Sequence, residues 1–221
     1  MNTNFLSTKD YFNYYFSGIV WLVIAALSAV QKNADIHPIL GITEHIPTFL
    51  QITLLLIIPY IVGFVLSPVG NIVSLFLRKI CEDPTNWVLV LNKDNFPMNE
   101  RFCKKKRISE PSRTKILEKI SSLQDGEETK YSPFFWVRNY VLMKENQTTL
   151  SFVNRPLDLA NLTESLIIPV PILVFLVGGM FLHVCFSMLL SFLIFIILSW
   201  RYFKLREYWV KHNYRTFLIS K

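Results

Sequence analysis

Charge is scarce in this sequence. Asp, Glu, Lys and Arg make up 18% of 221 residues, where a soluble domain carries about a quarter. Cysteine and histidine are scarcer still, at three and four residues. Cys81, Cys103 and Cys185 form no CxxC pair, which excludes a disulfide scaffold and the usual zinc-ligand spacings. Scattered thiols of this kind suit a reducing compartment. There is no Gly-rich phosphate loop, no HExxH, no Ser-His-Asp set and no paired-carboxylate pattern. The chain is therefore expected to be non-enzymatic, with no cofactor and no metal.

Apolar residues fill the space that charge leaves. They are 52% of the chain and are gathered into three long blocks, so the expected class is an all-α membrane protein. Residues 12–30 carry no charge and are long enough to cross roughly 30 Å of hydrocarbon at about 1.5 Å per residue. Tyr11, Tyr14 and Tyr15 at the start of this block resemble an interfacial aromatic belt. It has neither a basic leading region nor an Ala-x-Ala boundary, so it reads as an anchor, not a cleaved signal. Residues 49–77 are also uncharged and exceed one perpendicular crossing. Pro59, Pro68, Gly63 and Gly70 mark where that helix can bend.

The third block, 165–200, is too long for one helix and is expected to double back at Gly178-Gly179, its first half borrowing Leu157, Leu159 and Leu162 from upstream. Charge supports the reversal. Residues 78–164 hold 15 of the 23 Lys and Arg, and residues 201–221 hold six. Basic segments stay in the cytoplasm, so an even number of crossings must separate these two. The expectation is four transmembrane helices, an N-terminal pair within 1–77 and a hairpin at 165–200. A basic cytosolic insert at 78–164 joins helices 2 and 3, and a basic amphipathic tail follows at 201–221. Both ends then face the cytoplasm.

Within the insert, Trp87-Val88-Leu89-Val90-Leu91 reads as a short strand or a buried extended segment. Ile116, Leu117, Ile120 and Leu123 recur at helical spacing after Pro111-Ser112 and stop at Asp125-Gly126. A second helical stretch, 133–153, is aromatic enough to lie on the membrane or pack beneath the bundle. Pro156 is expected in the first turn of the helix that follows. In the tail, Lys204, Lys211 and Arg215 share one helical face and Tyr202, Leu205 and Trp209 another, the pattern of a helix lying along the lipid surface.

Four sets of residues carry candidate chemistry. Lys104, Lys105, Lys106 and Arg107 form a basic run suited to an acidic protein, RNA or anionic lipid. Ser67, Asn71 and Ser74 on the second block are candidates to line a pore, or to bond between helices. His183 is, beside the Cys185 thiol, the ionisable side chain within 165–200, and falls near the expected reversal. Arg206 and His212 match the R-x5-H spacing of HEPN ribonucleases, although six residues apart on a regular helix they diverge by about 120°. Asn146-Gln147-Thr148 and Asn161-Leu162-Thr163 match glycosylation sequons that a cytosolic segment would leave unused.

The layout of two helices, a basic insert, two helices and a basic tail resembles the small multi-pass membrane accessory proteins of bacterial phage-defence systems, such as those accompanying type VI-B CRISPR effectors. The Lys-, Asn- and Ile-rich composition suits a low-GC bacterium. The resemblance implies a membrane-associated accessory or regulatory protein of antiviral RNA targeting, with a cytosolic protein or RNA–protein partner. A homo-oligomeric channel that depolarises the membrane is the alternative, and a membrane-tethered ribonuclease the second alternative.

Overall fold

The computed structural model describes residues 8–32, 47–81, 83–88, 108–123 and 133–220. All the regular structure among them is helical. In chain order the helices are α1 (Thr8–Gln31), α2 (Thr48–Cys81), α3 (Pro84–Trp87), α4 (Glu110–Leu123), α5 (Pro133–Lys144), α6 (Gln147–Leu166), α7 (Pro169–Phe181) and α8 (Val184–Ile219). Three segments, Tyr11–Gln31, Thr48–Lys79 and Val184–Ile219, are long and apolar enough to cross a membrane. The pair α6 and α7, bent by 43° at its break, raises the number to four if it counts as one span. On its own α7 is about 20 Å long, too short for the hydrocarbon layer, so it needs residues from α6.

The chain divides into two compact units. The first contains residues 1–76 and 161–202. Its burial is the reverse of a soluble core. Ser17, Ser74, Thr163, Ser165 and Ser187 are inside, while Phe49, Leu55, Phe64, Phe76, Phe192 and Ile197 are exposed. Helices that meet in lipid gain little from exchanging one apolar neighbour for another, so they associate through close backbone contact and hydrogen bonds. The crossing of α1 and α2 shows this. A Cβ on Gly63 would fall on the Tyr14 carbonyl and 2.8 Å from the Gly18 nitrogen, and one on Gly18 would fall on the Pro59 carbonyl. Around this crossing Tyr11 stacks on Tyr60 at 5.0 Å and Tyr14 meets Phe64 edge-on at 5.5 Å. Pro59 lies at the crossing itself, and Pro59 and Pro68 are both inside a continuous α2.

The third apolar block does fold back, but not at the glycines. Gly178 and Gly179 are inside α7, and the break falls at Leu182 and His183. Leu182 N–H donates to the Gly178 carbonyl at 2.7 Å, while Ser187 N–H takes up the His183 carbonyl at 3.1 Å. These bonds close one helix and open the next. The two run antiparallel, because the Ser191 hydroxyl donates to the Pro171 carbonyl at 2.7 Å and Gly178 faces Ser187 nearer the turn. Helix α1 lies against α7, with Gln31 donating to the Leu176 carbonyl at 3.3 Å.

The second unit contains residues 77–160 and 203–221. Its core is Val88, Ile116, Ile120, Phe134, Val137, Val141, Trp209, Val210, Tyr214 and Phe217. Phe134, Val137 and Val141 form one face of α5, and Ile116 and Ile120 one face of α4, at the spacing an amphipathic helix requires. Phe134 meets Trp209 edge-on at 4.9 Å, and Tyr140 meets Phe217 at 5.2 Å.

Several sequence expectations need correction here. Trp87 ends a helical turn and Val88 follows it in a turn, where a strand was expected; 89–91 lie outside the described residues. Asp83 starts that helical turn by accepting from Thr85 N–H at 3.1 Å, with Pro84 in the first position, an N-cap arrangement. The stretch 133–153 is two helices, because the Asn146 side chain accepts from Thr149 N–H at 2.9 Å and caps a new one. That earlier start leaves Pro156 inside α6 and not in a first turn. Finally, Trp209 on the apolar face of the tail is buried in the core with α4 and α5, where a lipid surface was expected.

Candidate functional site

Two places bring chemistry-bearing side chains together, one in each unit. In the first unit, α6 carries Thr163, Glu164 and Ser165 into the polar interior. The Ser74 hydroxyl makes a very short hydrogen bond with a Glu164 carboxylate oxygen and lies 3.0 Å from the Asn71 carbonyl. Ser17 donates to the Ser165 carbonyl at 3.2 Å, and both residues are buried. A Cβ on Gly70 would lie 2.5 Å from the Glu164 carbonyl oxygen, so the absence of a side chain there lets α2 and α6 approach. The result is an acid between apolar helices. Acids in such places are hydrogen-bonded or functional, because a bare carboxylate in hydrocarbon is expensive.

In the second unit the last third of α8 is the organising element. Two guanidinium groups approach the Trp209 ring, Arg138 at 5.1 Å and Arg206 at 5.8 Å from its centroid. Burial pushes the Arg138 pKa below its ordinary value. Arg206 donates to Asp83 at 2.7 Å, tying α8 to the start of α3. Glu207 is buried and accepts from Lys211 at 2.7 Å and from Lys204 at 3.4 Å. Lys119 on α4 reaches the end of α8, donating to the Phe217 carbonyl at 2.6 Å and to the Ser220 carbonyl. An ammonium group there satisfies orphan carbonyls and complements the helix dipole. Its pKa is lowered from 10.5 by burial, against an opposing pull from Glu145.

The residues singled out from the sequence divide as follows. Lys104, Lys105, Lys106 and Arg107 lie outside the described residues. Ser67 returns its hydroxyl to the Phe64 carbonyl at 3.0 Å, Asn71 is exposed, and Ser74 is buried against Glu164. His183 is exposed at the turn between α7 and α8. Arg206 faces Asp83, whereas the His212 ring nitrogen Nδ1 is 2.8 Å from the Tyr208 carbonyl and its ring lies 5.7 Å from that of Phe152. The two are engaged by different partners and do not converge.

Comparison with known protein families, curated proteins and solved structures finds no match. The site residues therefore stand on their own geometry. Among the described residues no three His, Cys, Asp or Glu side chains gather as a metal site would require.

Reading the sequence missed Glu164, Asp83 and Lys119. For Glu164 a signal was present. An apolar segment beginning at Ser165 is too short for two crossings, and extending it upstream brings Glu164 into the bundle. Asp83 before Pro84 is an N-cap pattern. Nothing local marks Lys119, whose acceptors are about a hundred residues away in the chain.

Proposed function

We propose that the chain is a multi-pass protein of the bacterial inner membrane that holds a basic helical head in the cytoplasm, and that it acts by binding an acidic partner, protein or RNA–protein, without catalysis. One observation carries the reading. The core of the second unit is built from both α4–α5 and the last turns of α8. The described parts of the insert and the tail share one core, which supports their lying on one side of the membrane, and the excess of Lys and Arg in both favours the cytoplasmic side. Exposed apolar residues along α2 and α8 support the membrane location, since a soluble protein would not leave so large an apolar surface bare.

The other two readings have less behind them. Ser67 and Ser74 spend their hydroxyls on carbonyls and on Glu164, not on an aqueous lumen. Arg206 is held by Asp83, away from His212. Nothing in the fold or the comparisons links the chain to CRISPR-associated accessory proteins, and the proposal stops short of a defence role.

The test is in-cell photo-crosslinking from Met143, which is 85% exposed on α5. A discrete adduct is expected in cells, and in membranes irradiated after lysis its yield should fall steeply between about 50 and 200 mM salt, as charge-driven contact requires. Absence of any adduct from this and other exposed positions of the head, at either salt concentration, would contradict the proposal.

A further inference from the structure

A cavity of about 210 Å³ opens in the second unit between the start of α4 and the last turns of α8. Water occupies about 30 Å³ per molecule, so the space holds a group of several heavy atoms. Its lining combines the polar and cationic Ser109, Ser112, Lys211, Tyr214 and Arg215 with apolar residues, Ile116 among them.

The chemistry of that lining selects an oxyanion. Ser109 is the residue before α4, and its carbonyl accepts from Arg113 N–H at 2.9 Å. The cavity is therefore at the first turn of a 14-residue helix, where partial positive charge and free N–H groups attract anions. The Ser109 hydroxyl donates to the Ser112 hydroxyl at 2.9 Å, which leaves the Ser112 proton for a ligand. Lys211 is shared with Glu207. Arg215 is exposed and has no carboxylate partner among the described residues. The second independent feature is Tyr214. Its side chain is 99% buried, from a relative exposure of 1%, it lines the cavity, and its hydroxyl has no hydrogen-bond partner among the described residues. A ligand oxygen in the cavity would give that hydroxyl an acceptor.

We infer that this cavity binds a phosphate group, held by Arg215 and Lys211 with Ser112 and Tyr214 as hydroxyl donors. The group comes either from a free phosphate or from the headgroup of an anionic phospholipid. The inference does not depend on which side of the membrane the unit occupies.

The experiment uses the full chain in a phosphate-free maltoside detergent and has two arms. Inorganic phosphate is titrated by phosphorus NMR or calorimetry, and phospholipid retained through delipidation is counted by native mass spectrometry. Arg215→Gln and Lys211→Gln are compared with Lys115→Gln, which removes the same charge from an exposed position of α4 outside the cavity. Saturable phosphate binding that falls about ten-fold or more in the first two variants, and is unchanged in the third, establishes a free-phosphate site. Retained anionic phospholipid that both cavity variants release, with Lys115→Gln still holding it, establishes a headgroup site. Neither ligand bound by the wild type, or an equal loss in Lys115→Gln, overturns the inference. Arg215 is on the surface, so its variant should melt with the wild type, and that melt separates loss of binding from loss of fold.

Discussion

Replacing Gly63 by alanine drives a methyl group into α1. The new carbon would sit 2.7 Å from the Tyr14 carbonyl carbon and 2.8 Å from the Gly18 nitrogen. The Tyr14 carbonyl oxygen is nearer still, at 1.8 Å, and non-bonded heavy atoms rest at about 3.5 Å, so the α1–α2 crossing must open by about 1.5 Å. Backbone atoms cannot rotate away as a side chain would, and overpacking of this kind costs about 1–3 kcal/mol. Opening the crossing also loosens the Tyr11–Tyr60 stack and the Tyr14–Phe64 edge contact, each worth about 0.5–1.5 kcal/mol. Against this, alanine is favoured over glycine in a helix by about 1 kcal/mol. The net expectation is a loss of about 1–4 kcal/mol. Gly179 supplies the control, because a Cβ there meets nothing within 4 Å and Gly179→Ala should be neutral or slightly stabilising. Both variants can be unfolded from maltoside micelles with increasing SDS and followed by tryptophan fluorescence. If Gly63→Ala resists SDS as well as Gly179→Ala does, the close crossing is not what holds α1 and α2 together.

Three further outcomes are expected. Lys119→Met should free the last turn of α8 and raise amide exchange there, at a cost of about 1–3 kcal/mol for the lost charge-assisted hydrogen bonds. The same variant should alter pH dependence. A lysine whose folded pKa is below 10.5 binds fewer protons folded than unfolded between those two values. Its contribution to stability therefore rises with pH across that window, and the rise should be missing from melts of Lys119→Met. Arg206→Ala should destabilise the second unit by about 1–3 kcal/mol, because it leaves Asp83 partly buried without its cation. His212→Ala should cost less than about 1 kcal/mol, a difference that thermal melts can resolve.

The long helices were legible because their evidence is local. Uninterrupted apolar runs at 12–30 and 49–77 are too greasy for any other use in a chain of this size. The α4 face was equally clear from Ile116 and Ile120 at helical spacing. What escaped the sequence depends on partners distant in the chain. Gly178-Gly179 resembles a turn until Ser187 is known to press against Gly178 from the returning helix. The apolar face of the tail looks lipid-seeking until Phe134 and Val137 are placed opposite it. The break at Asn146 was present as a capping residue, but the aromatic run from Phe134 to Leu142 concealed it by promising one continuous helix. Among the candidate site residues that are described, Ser74 joined a buried polar cluster, and its partner Glu164 had been counted with the insert.

The proposed topology puts α4, α5 and the end of α8 in one compartment and the α7–α8 turn in the other. Cys185 is exposed just after that turn, and Ile219 is 81% exposed near the end of α8, so two thiols can report both sides. With Cys81 and Cys103 changed to serine, a membrane-impermeant maleimide applied to intact spheroplasts should label Cys185. An Ile219→Cys thiol in a Cys185→Ser background should label only after the membrane is permeabilised. Labelling of both positions from the same side without permeabilisation would contradict it.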